Sequence, residues 1–322
     1  MPQPTQRDVH VDAPLTNISI AYVQKAEHFI AGRVFPSVPV AKQSDKYWTY
    51  TKGDWFRDEA RKRADVTESA GSGYTISSTN TYFCDVYGLH KDVGRQAVNN
   101  QDPAINLERD ATQFVTQRLL LRREKDWVST YLSTGVWDGE VTPSNLWDSY
   151  TTSDPISDIE LGKETILSQT GFLPNTLTLS YQVYRQLKHH PDIVDRIKHT
   201  GGIPAQVGSA GRRALADLFE LDNLYVAMAV ENTAAEGVTT SMSFTHSRDA
   251  LLCYVNAQPS LLAPSAGYNF TWNGFSGLGT DFAISRIPMP ELKATRIEGE
   301  TTFDLKVISA DLGYLFSGAV SS

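Results

Sequence analysis

The sequence predicts an α+β fold in which an extended N-terminal region, one long helix and a set of late strands frame an inserted α/β unit. Three observations predict it. Pro2, Pro4, Pro14, Pro36 and Pro39 punctuate the start of the chain, and β-prone aromatic runs follow them. After Pro103 neither glycine nor proline interrupts the chain until Gly135, and apolar residues recur there at helical spacing. Beyond residue 156 helix-like and strand-like segments alternate, and beyond residue 265 strands dominate.

Each element can be taken in order. Residues 1–45 form an arm with one short amphipathic stretch, where Ile18, Tyr22, Ala26 and Phe29 share a helical face. Ile18, Phe29, Val34 and Phe35 have little local core, so the arm is expected to bury them on another surface, such as a neighbouring copy. Residues 46–90 form an extended hairpin loop. Tyr47, Trp48 and Tyr50 begin it, and Tyr74, Ile76, Tyr82, Cys84 and Val86 return at period two. Its tip is highly charged: Arg57, Asp58, Glu59, Arg61, Lys62 and Arg63. A lone hairpin with so few aliphatics is marginal in water, so its natural place is on a partner.

Residues 102–134 predict a spine helix. Asp102 suits the N-cap and Pro103 the first turn. At ~1.5 Å per residue the helix spans roughly 45 Å. Leu107, Ala111, Phe114, Val115, Leu119, Val128, Tyr131 and Leu132 form its apolar stripe, and Arg122 and Asp126 stand four apart, as an ion pair requires. Residues 135–155 read as a loop holding Trp137 and Trp147. Helices are predicted over 156–169, 181–187, 191–198 and 215–219, with buried strands at 176–179, 224–230 and 250–255. The strands of residues 265–322 then need a sheet, which the spine helix and the strands before it supply. The division is an arm (1–45), an extended loop (46–90), a peripheral domain (91–157 with 265–322) and an inserted axial domain (158–264).

The bulk chemistry bounds the function. The 322 residues carry a net charge of −8, which argues against a dedicated nucleic-acid binder, and no run approaches the ~20 apolar residues of a membrane span. Met1 to Val11 lacks the apolar core of a secretion signal, so the sequons at Asn17 and Asn269 read as chance matches. Cys84 and Cys253 lie in apolar, strand-like stretches and read as buried free thiols in a reducing compartment. No phosphate-binding loop or dinucleotide fingerprint is present, and Gly274-Phe275-Ser276-Gly277-Leu278 fails the nucleophile-elbow pattern at its last position. His189, His190 and His199 lack metal-ligand spacing. The basic clusters Arg61-Lys62-Arg63, Arg122-Arg123 and Arg212-Arg213 read as solvated or intersubunit ion-pair faces, with acidic neighbours beside the first two. No catalytic residue, cofactor or metal is expected.

The order of arm, charged hairpin, long helix, α/β insertion and returning strands resembles the major capsid proteins of tailed bacteriophages, with the Hong Kong 97-type fold. Residues 172–180 (Phe-Leu-Pro-Asn-Thr-Leu-Thr-Leu-Ser), then Val183, Leu187 and His190-Pro191-Asp192-Ile193, and the closing Asp311-Leu312-Gly313-Tyr314-Leu315-Phe316, look like that family. The resemblance covers nearly the whole chain and rests more on order and length than on any short string. It implies pentamers and hexamers closing an icosahedral shell around double-stranded DNA. The virion would be assembled in the bacterial cytoplasm, with scaffolding, portal and decoration proteins as further partners and no membrane. The loop tip and the arm residues Ile18, Phe29 and Phe35 would meet neighbouring subunits. Gly201, Gly202, Gly208, Gly211, Arg212 and Arg213 would form the loop at the capsomer centre. Set against that family's pattern, a helical scaffolding segment before the arm is not expected, and no cross-linking lysine–asparagine pair stands out. The competing readings are an encapsulin-like protein compartment of the same fold, a tail or neck protein, and a soluble α/β enzyme.

Overall fold

The computed structural model describes residues 23–101, 105–199, 211–260, 262–275 and 282–321. After a 3-10 turn at Ala26–His28 come strands β1 (Ser37–Val40), β2 (Ser44–Lys46) and β3 (Thr49–Tyr50), and a one-turn helix α1 (Lys52–Trp55). The chain returns through β4 (Ile76–Ser77), β5 (Thr81–Phe83) and β6 (Asp85–Gly94), then α2 (Arg95–Asn99) and the spine helix α3 (Leu107–Tyr131). Next are β7 (Gly139–Val141), α4 (Pro155–Thr170), β8 (Thr176–Ser180), α5 (Tyr181–His189), α6 (Pro191–His199) and α7 (Arg212–Leu218). Strands β9 (Asn223–Ala227), β10 (Val230–Asn232), β11 (Met242–Phe244), β12 (Ala250–Cys253), β13 (Gly267–Trp272), β14 (Phe282–Met289), β15 (Ala294–Val307) and β16 (Gly313–Phe316) complete the order.

Two five-stranded sheets organise these elements. The first is built on β15, whose 14 residues are long enough to serve two sets of partners. Its N-terminal part lies between β14 and β6, antiparallel to both, in registers running from Ala294↔Met289 and Ala294↔Gly94. Its C-terminal part pairs with β13 from Phe270↔Asp304 to Gly267↔Val307, and β13 takes β1 in parallel on its other edge. The second sheet has the order β7-β16-β12-β8-β9. Every residue of β8, β12 and β16 is buried; β12 and β16 carry no polar side chain beyond the Tyr314 hydroxyl and the Cys253 thiol, whereas β8 also buries Thr176, Thr178 and Ser180.

That second sheet draws on segments far apart in the chain. β16, expected with the late strands, sits between β7 and β12, and residues 139–141, expected as loop, form its edge strand. A three-residue strand leaves no periodic signature, and sheet membership depends on partners far along the chain.

The spine helix is shorter than predicted, with 25 residues, or ~37 Å at the usual rise. Its N-cap is Asn106, whose side chain accepts the Arg109 N–H at 3.0 Å; Asp102 and Pro103 lie outside the described residues. It stops at Tyr131, whose carbonyl accepts the Trp137 indole N–H at 2.7 Å. The helix lies on β15 and β6, and Gly299 of β15 sets the approach. A Cβ there would stand 2.5 Å from Val115 Cγ1 and 3.0 Å from Leu119 Cδ1. Ala111, Val115, Leu119, Trp127 and Tyr131 are buried as a stripe. Phe114, expected in it, is 47 % exposed and sits under the Arg118 guanidinium instead.

One main core joins the arm, the C-terminal half of the spine helix and the second sheet. Phe35 packs against Tyr131 with ring centroids 4.6 Å apart, and Tyr131 Oη lies 3.2 Å from the carbonyl oxygens of Tyr268 and Lys306. Trp147 is fully buried, its indole N–H donating to Asp158 Oδ2 at 2.8 Å. α4 begins at an Asp154 N-cap followed by Pro155 and ends at Gly171, whose φ of 75° is the left-handed conformation that glycine adopts without steric cost. Both cysteines are buried free thiols; burial pushes Cys84 up to about 12 and raises Cys253 as well, so neither is a thiolate at neutral pH.

Candidate assembly surfaces

The extended loop is built from two short ladders and an irregular end. β2 pairs with β5 (Ser44↔Phe83) and β3 with β4 (Tyr50↔Ile76), so the hairpin runs from 44 to 83. The long period-two strand expected over 74–86 is broken into β4, β5 and the start of β6; Tyr47 N–H donates to Asn80 O between the two ladders, and Cys84 N–H to Gln43 O at the hairpin's base. β6 then leaves the loop altogether for the first sheet.

Tyr50, Trp55 and Tyr74 cluster at the loop's waist in edge-on and tilted contacts, with centroids 5.6–5.9 Å apart. Asp54 accepts the Thr75 N–H across it at 3.0 Å. Two contacts fix the loop's base: Lys52 pairs with Asp311, and the Phe56 ring reaches 3.3 Å from where a Cβ on Gly171 would stand.

Past Phe56 the loop has no regular structure until β4. Arg57 is held by Asp54 at 3.7 Å and Glu59 at 3.4 Å. Asp58, Arg61, Lys62 and Arg63 are exposed, and among the described residues none of the last three has an ion-pair partner. All six predicted tip residues therefore share one projecting segment. The hairpin also leaves Trp48, Trp55, Phe56, Tyr74 and Phe83 between 53 and 63 % exposed, a large apolar area for a single projecting loop.

The arm corrects an expectation. Phe29, Val34 and Phe35 are buried in this chain's own core, 5, 3 and 1 % exposed, so they need no neighbour to cover them. Val34 and Phe35 belong to the main core, where Phe35 meets Trp127 and Tyr131 of the spine helix, contacts too distant in sequence to be read from the arm itself. Ile18 lies outside the described residues.

The capsomer-centre loop is placed only at its end. Gly201, Gly202 and Gly208 lie outside the described residues; Gly211 is the N-cap of α7, and Arg212 and Arg213 are its first helical residues rather than loop. Arg212 covers the Tyr184 ring with its Nη2 3.5 Å from Met228 Sδ. Among the described residues no group of three or more His, Cys, Asp or Glu is placed to hold a metal ion. His190 is buried, with Nε2 3.1 Å from Ser153 Oγ.

One polar centre went unpredicted. Glu124 of the spine helix is 0 % exposed and accepts the N–H groups of Ile30 (3.0 Å) and Ala31 (2.9 Å), while His246 Nε2 lies 2.7 Å from its other oxygen. The carboxylate ties arm, helix and the β11–β12 connection together. The signal was available: Glu124 stands three and seven residues before Trp127 and Tyr131, on the apolar face.

Comparison with known proteins decides what this architecture is. No protein-family model matches the chain. Over 316 residues it is 27 % identical to the major capsid protein of Burkholderia phage BcepMu, covering 96 % of both chains. To the major capsid protein of Pseudomonas phage JBD67 it is 26 % identical over 326 residues, covering 97 % of this chain and 98 % of that one. The chain is similar over nearly its whole length to phage major capsid proteins, and its fold is of the Hong Kong 97 type. A phage-related protein from Bordetella bronchiseptica RB50 superposes on this chain with a TM-score of 0.69 at 25 % identity, covering 97 and 98 % of the two chains. The capsid of cyanophage P-SCSP1u gives 0.58 at 8 % identity (94 and 92 % covered), and the SrpI encapsulin of Synechococcus elongatus PCC 7942 gives 0.55 at 12 % (97 and 96 %). At those identities the likeness is one of fold.

Proposed function

We propose that copies of this capsid protein form pentamers and hexamers that close an icosahedral shell around double-stranded DNA. The protein acts by assembly rather than catalysis. The observation that carries this reading is the match, over almost the full length of both chains, to two phage major capsid proteins. The projecting hairpin agrees with it, because its exposed aromatics, and its cations without an ion-pair partner among the described residues, contribute little to the chain's own core. Many modest contacts repeated by symmetry give a firm shell without any single tight interface. Scaffolding, portal and decoration proteins are further partners in this reading, and assembly takes place in the bacterial cytoplasm.

A second reading is a protein compartment, favoured by the encapsulin fold likeness. The experiment is negative-stain electron microscopy of the purified chain with light scattering, followed by nuclease-protected DNA measured in particles from infected cells. Closed shells or rings of five and six are expected. A monodisperse monomer or dimer, even with crowding agent and scaffold added, overturns the shell reading. Shells holding protein cargo and no DNA select the compartment.

A further inference from the structure

We propose that the groove on the outer face of α4 receives the basic loop tip of a second copy of this chain. The proposal rests on the shell reading above and names the surface on which one predicted intersubunit element docks. The groove encloses about 490 Å³ and is lined by Glu160, Leu161, Glu164, Leu167, Leu173 and Glu220 around Lys163. Its leucines are uncovered: Leu161, Leu167 and Leu173 are 56, 44 and 46 % exposed. Its charge is acidic. Lys163 is itself buried and is already engaged by Glu160 at 3.0 Å and Glu220 at 3.9 Å, leaving three carboxylates against one ammonium.

The loop tip is the complement of that surface. Arg57 is taken by Asp54 and Glu59, while Arg61, Lys62 and Arg63 face water with no ion-pair partner among the described residues. Next to them Val66 is 93 % exposed, at a φ of 58° that a β-branched residue adopts only under strain. Two local hydrogen bonds hold that conformation, Val66 N–H to Asp65 Oδ1 at 3.0 Å and Thr67 Oγ1–H to Ala64 O at 2.8 Å. The tip thus offers an apolar knob beside the run Arg61-Lys62-Arg63, flanked by Asp58 and by Asp65, whose carboxyl is turned onto the Val66 N–H, and the groove offers apolar walls beside three carboxylates. None of residues 57–66 lines the chain's own groove, so the groove is open to another copy's tip. A tip-to-groove contact is heterologous, and a heterologous contact repeated by rotation closes a ring.

Two experiments on the full chain test this. Arg61→Glu with Arg63→Glu on the tip, and Glu164→Arg with Glu220→Arg on the groove, should each lower particle yield by about tenfold or more, and the combined chain should recover most of it. Glu160 is kept so that Lys163 retains a partner. Separately, Val66→Cys with Leu161→Cys, oxidised in assembled particles, should give a ladder of disulfide-linked multimers on a non-reducing gel. Either cysteine alone should not. Failure of the tip set with normal assembly of the groove set overturns the groove as receptor and leaves the shell reading standing, as do wild-type-like shells without a ladder from the double-cysteine chain. If the unaltered chain forms neither shells nor rings, both readings fall.

Discussion

Glu124 shows how much one side chain can organise. A carboxylate taken out of water is costly unless every partner is in place, and here two backbone N–H groups and an imidazole supply them. Glu124→Ala would leave His246 and the Ile30 and Ala31 N–H groups buried without an acceptor, and should cost about 3–5 kcal/mol, read as a lowered urea midpoint of the unassembled protein. Glu124→Gln keeps one carbonyl oxygen and should cost less. His190 gives a pH prediction. Burial holds its imidazole below the ordinary value, against the pull of Asp192 and Asp154, so the folded state takes up a proton less readily than the unfolded chain. Its contribution to stability is present above about 6.5, the unfolded value, and is lost as pH falls below it. The denaturation midpoint should drop between about pH 7.5 and 5.5, and His190→Gln should flatten that slope; an unchanged slope in the variant excludes His190 as its source.

At the scale of elements, the packing of α3 on β15 depends on an absent side chain. Gly299→Ala would drive a methyl into Val115, and either the helix lifts or a rotamer strains, at about 1–3 kcal/mol. Thermal unfolding of the unassembled variant measures it. Elements that carry their own pattern were legible from sequence. α4 was expected over 156–169 and spans 155–170, β8 ended within a residue of expectation, and Arg122 meets Asp126 at 2.8 Å as the four-residue spacing requires. What stayed hidden was defined by partners elsewhere in the chain. Phe35 is an arm residue until Tyr131 is beside it, and β7 is a loop until Tyr314 pairs with Gly139. The tip residues were gathered by composition alone, whereas the acidic groove could not be foreseen, because Glu220 reaches it from beyond α7.

For the whole molecule, the fold separates parts that hold the subunit together from a part that projects from it. The main core includes the arm, the spine helix and the second sheet but no residue from 36 to 81. Replacing residues 57–74 by a short flexible linker should therefore leave the thermal midpoint of the isolated subunit within a few degrees of the original while abolishing closed particles. Calorimetry and electron microscopy on the same preparation check the two halves of that statement; a subunit that no longer folds would show that the loop is part of the core after all. The opposite behaviour is expected of β16. It is buried on all sides between β7 and β12, with Phe316 and Ala319 fully enclosed, so removing residues 313–321 should yield insoluble protein.

The place of β16 has a further meaning when the order of synthesis is considered. Of the five strands in its sheet, the one made after all the others is inserted among them rather than added at an edge. A ribosome that stops between residues 253 and 313 leaves β7 and β12 facing a gap that neither can close, since each is paired to the missing strand. Such a fragment exposes unpaired strand edges and is a substrate for proteolysis or aggregation rather than a well-formed building block. In a lattice of many identical copies, where one defective member can spoil a ring, the topology works as proofreading: unfinished chains exclude themselves before they meet a neighbour.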